Sequence, residues 1–404
     1  MKAAARVLAR LLLALLALVV GFLALVPTGR YIAHAAWEEG RILARREPIA
    51  ELVSSPTTDP RTRAKLQLVL DARAFATDSV GLEAGASFTT YSQLTTDTLV
   101  LVLAGAYRDQ LKSYTWWFPI VGRVPYKGFF DPGDAERAAG ELEERGFDVY
   151  LRPASAFSTL GWFNDPLLST TLELDSASLA NTVIHELTHN TFYAPGQAIF
   201  NESFANFVGS RGAMWFFHSR GDSLNERLSR EDWESDKVMG RFWESLYRSL
   251  DSAFAAHPDD RSARLAASAA IYDRAAKLFA DSVAPALPGY GPQPPPRPRL
   301  DNAILLARRV YRTGLDQFDA VFAVEGHDLR RAMQRIIELA RSRPDDPYEA
   351  LREWLAVHGP GSGAAPRSAN AKTSRKALAT SRLASSGDGA RPPSSPATEV
   401  ITTP

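Results

Sequence analysis

The sequence predicts an α+β protein: a small mixed sheet placed before one motif-bearing helix, followed by a largely helical C-terminal half. Three observations lead there. Short Val- and Leu-rich runs bounded by Gly and Pro, the pattern of strands, fall before Asp175. From about Leu179 to Val357, apolar residues recur at helical spacing instead. With 404 residues, 45% of them hydrophobic, the chain is long enough to bury a sizeable core in one large domain or two ordinary ones.

Charge and cysteine content narrow the function classes. Lys and Arg total 46, as do Asp and Glu, so no global field draws the chain to nucleic acid. There is no cysteine, which excludes disulfides, thiolate metal sites, a cysteine nucleophile and a lipidated N-terminal cysteine.

At the N-terminus, Lys2, Arg6 and Arg10 precede an unbroken apolar run from Leu11 to Val26. A basic flank followed by such a run is a signal sequence or a membrane anchor, and residues 1–30 are expected to form it. Counted from Val7, the run approaches the ~20 residues that span a bilayer. The nearest small-x-small site is Ala33-His34-Ala35, well past the run, within sequence that still reads as helix. A retained anchor is therefore expected, with secretion after cleavage as the alternative. The basic flank stays inside, which puts the rest of the chain across the membrane.

Tyr31 to Val53 reads as a helix with charges on one side, and Asp59 to Ala76 as another, with Pro60 suited to its first turn. Asp97 to Tyr107 changes the period to a buried strand. Trp116 to Phe130 is broken by Pro and Gly into two short extended pieces, Asp134 to Gly146 is a helix stopped by Gly146, and Phe147 to Phe157 and Pro166 to Leu174 are strand-like. Asp175, Ser176 and Ser178 can cap the helix that follows, from about Leu179 to Tyr193. Ala194-Pro195-Gly196 breaks it, and a second helix runs from about Phe200 to Phe217. Helices follow at about 230–256, 260–283 and 301–357, interrupted by a proline-rich connector at 285–299. Residues 31–358 are thus read as the folded domain. Residues 359–404 collapse into Gly, Ala, Ser, Pro and Thr and are expected to be disordered.

The chemistry concentrates in "VIHELTHNTFYAPGQAIFNESFANF", Val183 to Phe207. Residues four apart lie one above the other on a helix, so His185 and His189 point the same way. Glu186 flanks that face, where it can act as a base on a water without ligating a metal. This is the H-E-x-x-H arrangement of zinc hydrolases, which need a third protein ligand and one open position. Glu202 is the candidate, returned by the Pro-Gly break; His218 is the weaker rival. One zinc ion is the expected cofactor. Asn206, four residues after Glu202, can accept the free N–H of a ligating histidine or simply face solvent, and Asn201 can hold Glu202 or a substrate backbone. Tyr193, Tyr272 and Tyr311 are the phenols, and Arg211 the cation, available to stabilise an oxyanion or bind substrate. The Pro166–Leu174 segment is either a core strand or an edge for an extended peptide.

The segments "WWFPIVGRVPYKGFF", "SAFSTLGWFNDPLLST", "IHELTHNTFYAPGQAIFNESFANFVGSRG" and "DNAILLARRVY" resemble, in this order, a family of predicted bacterial zinc aminopeptidases over about Tyr31 to Val357. More distantly, the helix pair is similar to the gluzincin peptidases, in which H-E-x-x-H is followed by an N-E segment. The resemblance implies a zincin-like core, His185, His189 and Glu202 as ligands, Glu186 as the base and a peptide substrate. The linker from His189 to Glu202 is shorter than in the best-known gluzincins, and no G-A-M-E-N-like segment is present. "Aminopeptidase" therefore comes from the resemblance, while the residues themselves indicate a metallopeptidase. An endopeptidase acting on envelope proteins and an anchored scaffold with a closed, structural zinc site are the alternatives.

Overall fold

A computed structural model gives the structure of residues 2–94, 100–119, 122–154, 166–288 and 299–359. Most of the proline-rich connector, the C-terminal tail from 360 and the stretch 155–165 lie outside these described residues.

The apolar run forms α1 (Lys2–Leu25), whose membrane-length window, Ala4–Leu25, is 0% buried. Pro27, which has no N–H to donate, starts α2 (Pro27–Ala44) after an extended Val26. The helix expected to continue to Val53 ends at Ala44. Pro48 cannot carry the helical ladder, and Glu47–Pro48 instead forms a short strand, β1, before α3 (Ile49–Ser54). Asp59 caps α4 (Pro60–Phe75), which buries Leu66, Val69 and Ala72.

Among the described residues the strands all precede the motif, as expected, but they form three small sheets rather than one. They are β2 (Thr90–Ser92), β3 (Val100–Tyr107), β4 (Trp116–Phe118), β5 (Gly122–Val124) and β6 (Tyr126–Phe129), then, beyond α5 (Pro132–Glu144), β7 (Phe147–Ala154) and β8 (Leu167–Leu168). One sheet is mixed, with short β2 between antiparallel β1 and parallel β8. The larger sheet is antiparallel, β6-β3-β7, with Leu103 opposite Leu151. Strands β4 and β5 form a separate hairpin. The extended segment expected at 166–174 shortens to the two residues of β8. Ser169–Leu172 turns into a single helical turn, α6, consistent with Ser and Thr competing for local backbone bonds.

The C-terminal half is helical: α7 (Ser176–Thr191), α8 (Ala198–Ser219), α9 (Ser223–Ala255), α10 (Arg261–Leu278), α11 (Asn302–Arg309), α12 (Leu315–Val324), α13 (Leu329–Ser342) and α14 (Pro347–His358). Aspartates supply most of the starts. Asp175, Asp222, Asp260, Asp301, Asp328 and Asp346 each accept the N–H of the residue three along. Helix α8 is buried around most of its circumference, polar Asn201, Glu202, Ser203, Asn206 and Ser210 included, and lies in the main core. Phe200, Phe204 and Phe207 meet Val183 and Leu187 of α7, Trp233 of α9 and Phe318 of α12 there. A buried central helix is a rigid support for polar side chains, and it carries Glu202 against the motif residues of α7.

Candidate metal centre

Helix α7 starts where Asp175 takes the Ser178 N–H at 2.9 Å. Leu179, Ala180, Val183, Ile184 and Leu187 are buried on its core side. That packing fixes the helix rotation and turns His185 and His189 toward α8. The chain leaves α7 at an extended Phe192 and reverses through Gly196, whose φ of +76° suits glycine. Asn201 then secures the reversal. Its Oδ1 accepts from Ala194 N at 2.8 Å, and its Nδ2 donates to Ala194 O at 2.9 Å. The neighbouring Glu202 is thereby held against the two histidines.

The three ligand-type atoms form a nearly equilateral triangle. His185 Nε2 and His189 Nε2 are 3.2 Å apart, and Glu202 Oε2 lies 3.4 Å from the first and 3.6 Å from the second. Zinc bonded tetrahedrally at about 2.0–2.1 Å separates its ligand atoms by roughly 3.3–3.4 Å. The donor set is therefore of the type and spacing that could hold a metal ion, and it is buried. Its electrostatics are those of a tight pair. Burial alone would raise the Glu202 carboxyl, but His189 and then His185 outweigh it and bring it down to about 2. Burial would likewise favour neutral His189, yet the Glu202 carboxylate pushes it up.

Glu186 is half-buried between the two histidines in sequence, and its charge adds to the rise at His189. Tyr193 is 40% exposed, and burial and the Glu202 charge both raise its phenol. Tyr311 is buried, its ring centroid 6.4 Å from that of His185. The remaining candidates are engaged elsewhere. Tyr272 donates to Asn302 Oδ1 at 2.5 Å. Arg211 pairs with Asp319 through its Nε at 3.1 Å and lies over the Phe322 ring. His218, at the far end of α8, is exposed and pairs with Glu226 at 3.0 Å. It stands sixteen residues, or about 24 Å of helical rise, beyond Glu202. Asn206 is buried rather than solvent-facing. It donates to Asp236 Oδ2 at 2.9 Å and to Tyr311 O at 3.1 Å.

Two sets of residues escaped the sequence reading. Gly209 and Gly212 let α8 approach α7: a β-carbon at Gly212 would lie 2.9 Å from Ile184 Cγ2. Their spacing from Glu202 and Ala205, all on one helix face, was the available signal. Asp236 is the other. It accepts from Asn206 and, through Oδ1, from Arg312 Nε at 2.8 Å, tying α9 to the turn that carries Tyr311. No local pattern marks it.

A family model described as "Putative aminopeptidase" matches residues 30–351. No curated protein and no solved structure matches the chain. The family match runs from α2 to α14, so it takes in the sheets, both helices of the site and the helices that pack behind them, and on that coverage the chain belongs to the putative aminopeptidase family.

Proposed function

We propose that this protein is a zinc-dependent peptidase that removes residues from peptide N-termini, with a zincin-like core built on α7 and α8. The observation that carries the reading is the His185–His189–Glu202 triangle, whose 3.2–3.6 Å edges match the spacing of three ligand atoms about one zinc ion. Bound zinc supplies a water acidified to a pKa near 7 and polarises the scissile carbonyl. Glu186 takes the proton of the attacking water and returns it to the leaving amine. His185, His189 and Glu202 hold the ion, and Asn201 keeps Glu202 in place by closing the turn at Ala194. The Tyr193 phenol, near enough to Glu202 to feel its charge, donates to the developing oxyanion. Residues 31–358 form the catalytic domain. Residues 1–30 anchor it on the outer face of a bacterial inner membrane, with 359–404 as a tail.

Metal analysis together with cleavage mapping on paired peptides tests this. The expected result is one zinc per chain and cleavage of free-amine peptides but not their N-acetylated forms. Equal cleavage of both forms, at internal bonds, makes the protein an endopeptidase. Glu186→Gln should keep the zinc and lose at least a hundredfold in kcat; unchanged kcat removes Glu186 from the role of base.

A further inference from the structure

The β4–β5 hairpin has two dissimilar faces. Trp116 and Phe118 turn inward, while Trp117 is 59% exposed. In the antiparallel register Trp117 stands directly opposite Arg123, itself exposed. Directly opposed residues project from the same side of a hairpin. An aromatic and a cation therefore share the outer face, a pairing common where protein meets the bilayer–water boundary.

The inner face locates the hairpin. Phe118 packs on Tyr31 with ring centroids 5.5 Å apart, and Tyr31 also meets Phe129 at 6.2 Å. Lys127 Nζ sits over the Tyr31 ring at 4.4 Å. Tyr31 is six residues past Leu25, the last residue of the exposed apolar helix α1. Six residues rise about 9 Å at most along a helix. The headgroup layer of one leaflet is roughly 5–8 Å deep. The hairpin is thus held by its aromatic contacts at the height where an apolar span ending at Leu25 enters water.

We propose that the outer face of this hairpin, Trp117 and Arg123, docks on the phospholipid surface, Trp117 among the upper acyl and glycerol groups and Arg123 on phosphate. Docking rests on the reading of α1 as a retained anchor. It gives the catalytic domain a fixed orientation, because the anchor alone sets only a tether and the hairpin adds a second point of contact.

The cysteine-free chain allows the test directly. Single Trp117→Cys, Arg123→Cys, His218→Cys and Leu18→Cys variants of the full chain are spin-labelled and reconstituted in phosphatidylglycerol–phosphatidylethanolamine vesicles. Collision with oxygen and with a water-soluble nickel chelate then reports depth. Docking predicts a Leu18 label deep in the acyl region, labels at 117 and 123 severalfold richer in oxygen than in nickel collisions relative to the 218 label, and a fully aqueous 218 label. A deep Leu18 label with 117 and 123 as aqueous as 218 overturns docking and leaves the anchor standing. Labels at 117 and 123 shielded from both reagents, with spin–spin broadening, assign the face to a second copy and also overturn it. An aqueous Leu18 label overturns the anchor, and docking with it. The 123 variant repeats the reading at a second position should loss of Trp117 disturb the hairpin.

Discussion

Gly209 on α8 faces His185 on α7 so closely that a β-carbon in its place would stand 3.1 Å from the His185 β-carbon and 3.0 Å from the Asn181 carbonyl oxygen. The nearest atom, Asn181 Oδ1, is a side-chain tip that can swing aside, but the other two are the root of a candidate-site side chain and backbone, which yield only by a few tenths of an ångström. A methyl there has to turn the Asn181 amide aside and ease the two helices slightly apart, and that easing lengthens the distances from Glu202 to the histidines.

Gly209→Ala should therefore weaken the metal site more than its size suggests. Overpacking of this kind costs about 1–3 kcal/mol. The expected outcome is a lower Tm and at least tenfold weaker zinc binding in competition with a chromophoric chelator. Gly140→Ala is the control. Gly140 lies inside α5 with nothing within 4 Å of its absent β-carbon, so the exchange should stabilise the helix by roughly 0.5–1 kcal/mol and leave zinc binding unchanged. Equal zinc affinity in wild type and Gly209→Ala would show that the helix spacing does not set the site.

Glu202→Gln separates charge from shape. The amide keeps the volume and one oxygen but loses the negative charge that would bind the ion and that holds His189 up. Zinc content after dialysis should fall sharply, and Glu202→Ala should do no better. Retention of a full equivalent of zinc by both variants would move the third ligand elsewhere.

The same pair gives a signed pH prediction for the metal-free protein. His189 is raised above its ordinary 6.5 in the fold, so its contribution to stability is full below that value and is lost as pH rises through the raised one. Glu202 is depressed from 4.5 to about 2, so its contribution is full above 4.5 and is lost as pH falls toward 2. The metal-free chain should gain most from the pair between these windows, near pH 5–6, and lose Tm on either side. Zinc must displace the His189 proton, so its affinity should climb with pH until that site is neutral. Calorimetry in buffers of different ionisation heat checks this: about one proton released per zinc at pH 6 is expected, and none would refute the coupling.

Much of this site was legible because its signals are local. Four-residue spacing puts His185 and His189 on one face, Asp175 starts the helix, and Pro195-Gly196 announces the reversal that returns Glu202. Strands β3 to β7 were legible as extended segments, but β1 lay within a stretch read as helix, β2 drew no reading, and the division into three sheets was not legible, since β1, β2 and β8 contribute two or three residues each and are joined across long sequence distances. Pro166–Leu174 was misread for a related reason: its Leu and Thr content fits a strand, but only Leu167 and Leu168 find a partner in β2. Asn201, Asn206 and Arg211 have polar side chains whose partners, Ala194, Asp236 and Asp319, are fixed by tertiary structure. Composition could nominate these residues for the site but could not say that they secure the turn and the helices around it.

The Asp236 network supports the last prediction. Asp236 takes Asn206 Nδ2 on one oxygen and Arg312 Nε on the other, while Asn206 also holds the Tyr311 carbonyl. The Asp236 and Arg312 side chains are 22% and 12% exposed, so their bond is partly desolvated and charge-assisted, worth roughly 1.5–3 kcal/mol. Removing either partner should cost about that much stability, and the double variant Asp236→Ala/Arg312→Ala should cost less than the sum, with a coupling of about 1–3 kcal/mol in denaturant unfolding. None of these atoms is among the ligand atoms of His185, His189 or Glu202, so zinc affinity should stay within about threefold. The ring of Tyr311 lies beside His185, and releasing the turn that carries it should lower kcat for peptide hydrolysis by about tenfold, on the order of 1.4 kcal/mol of transition-state stabilisation. A fall in zinc affinity equal to the fall in kcat would show that the network supports the ligands rather than the groups that meet the peptide.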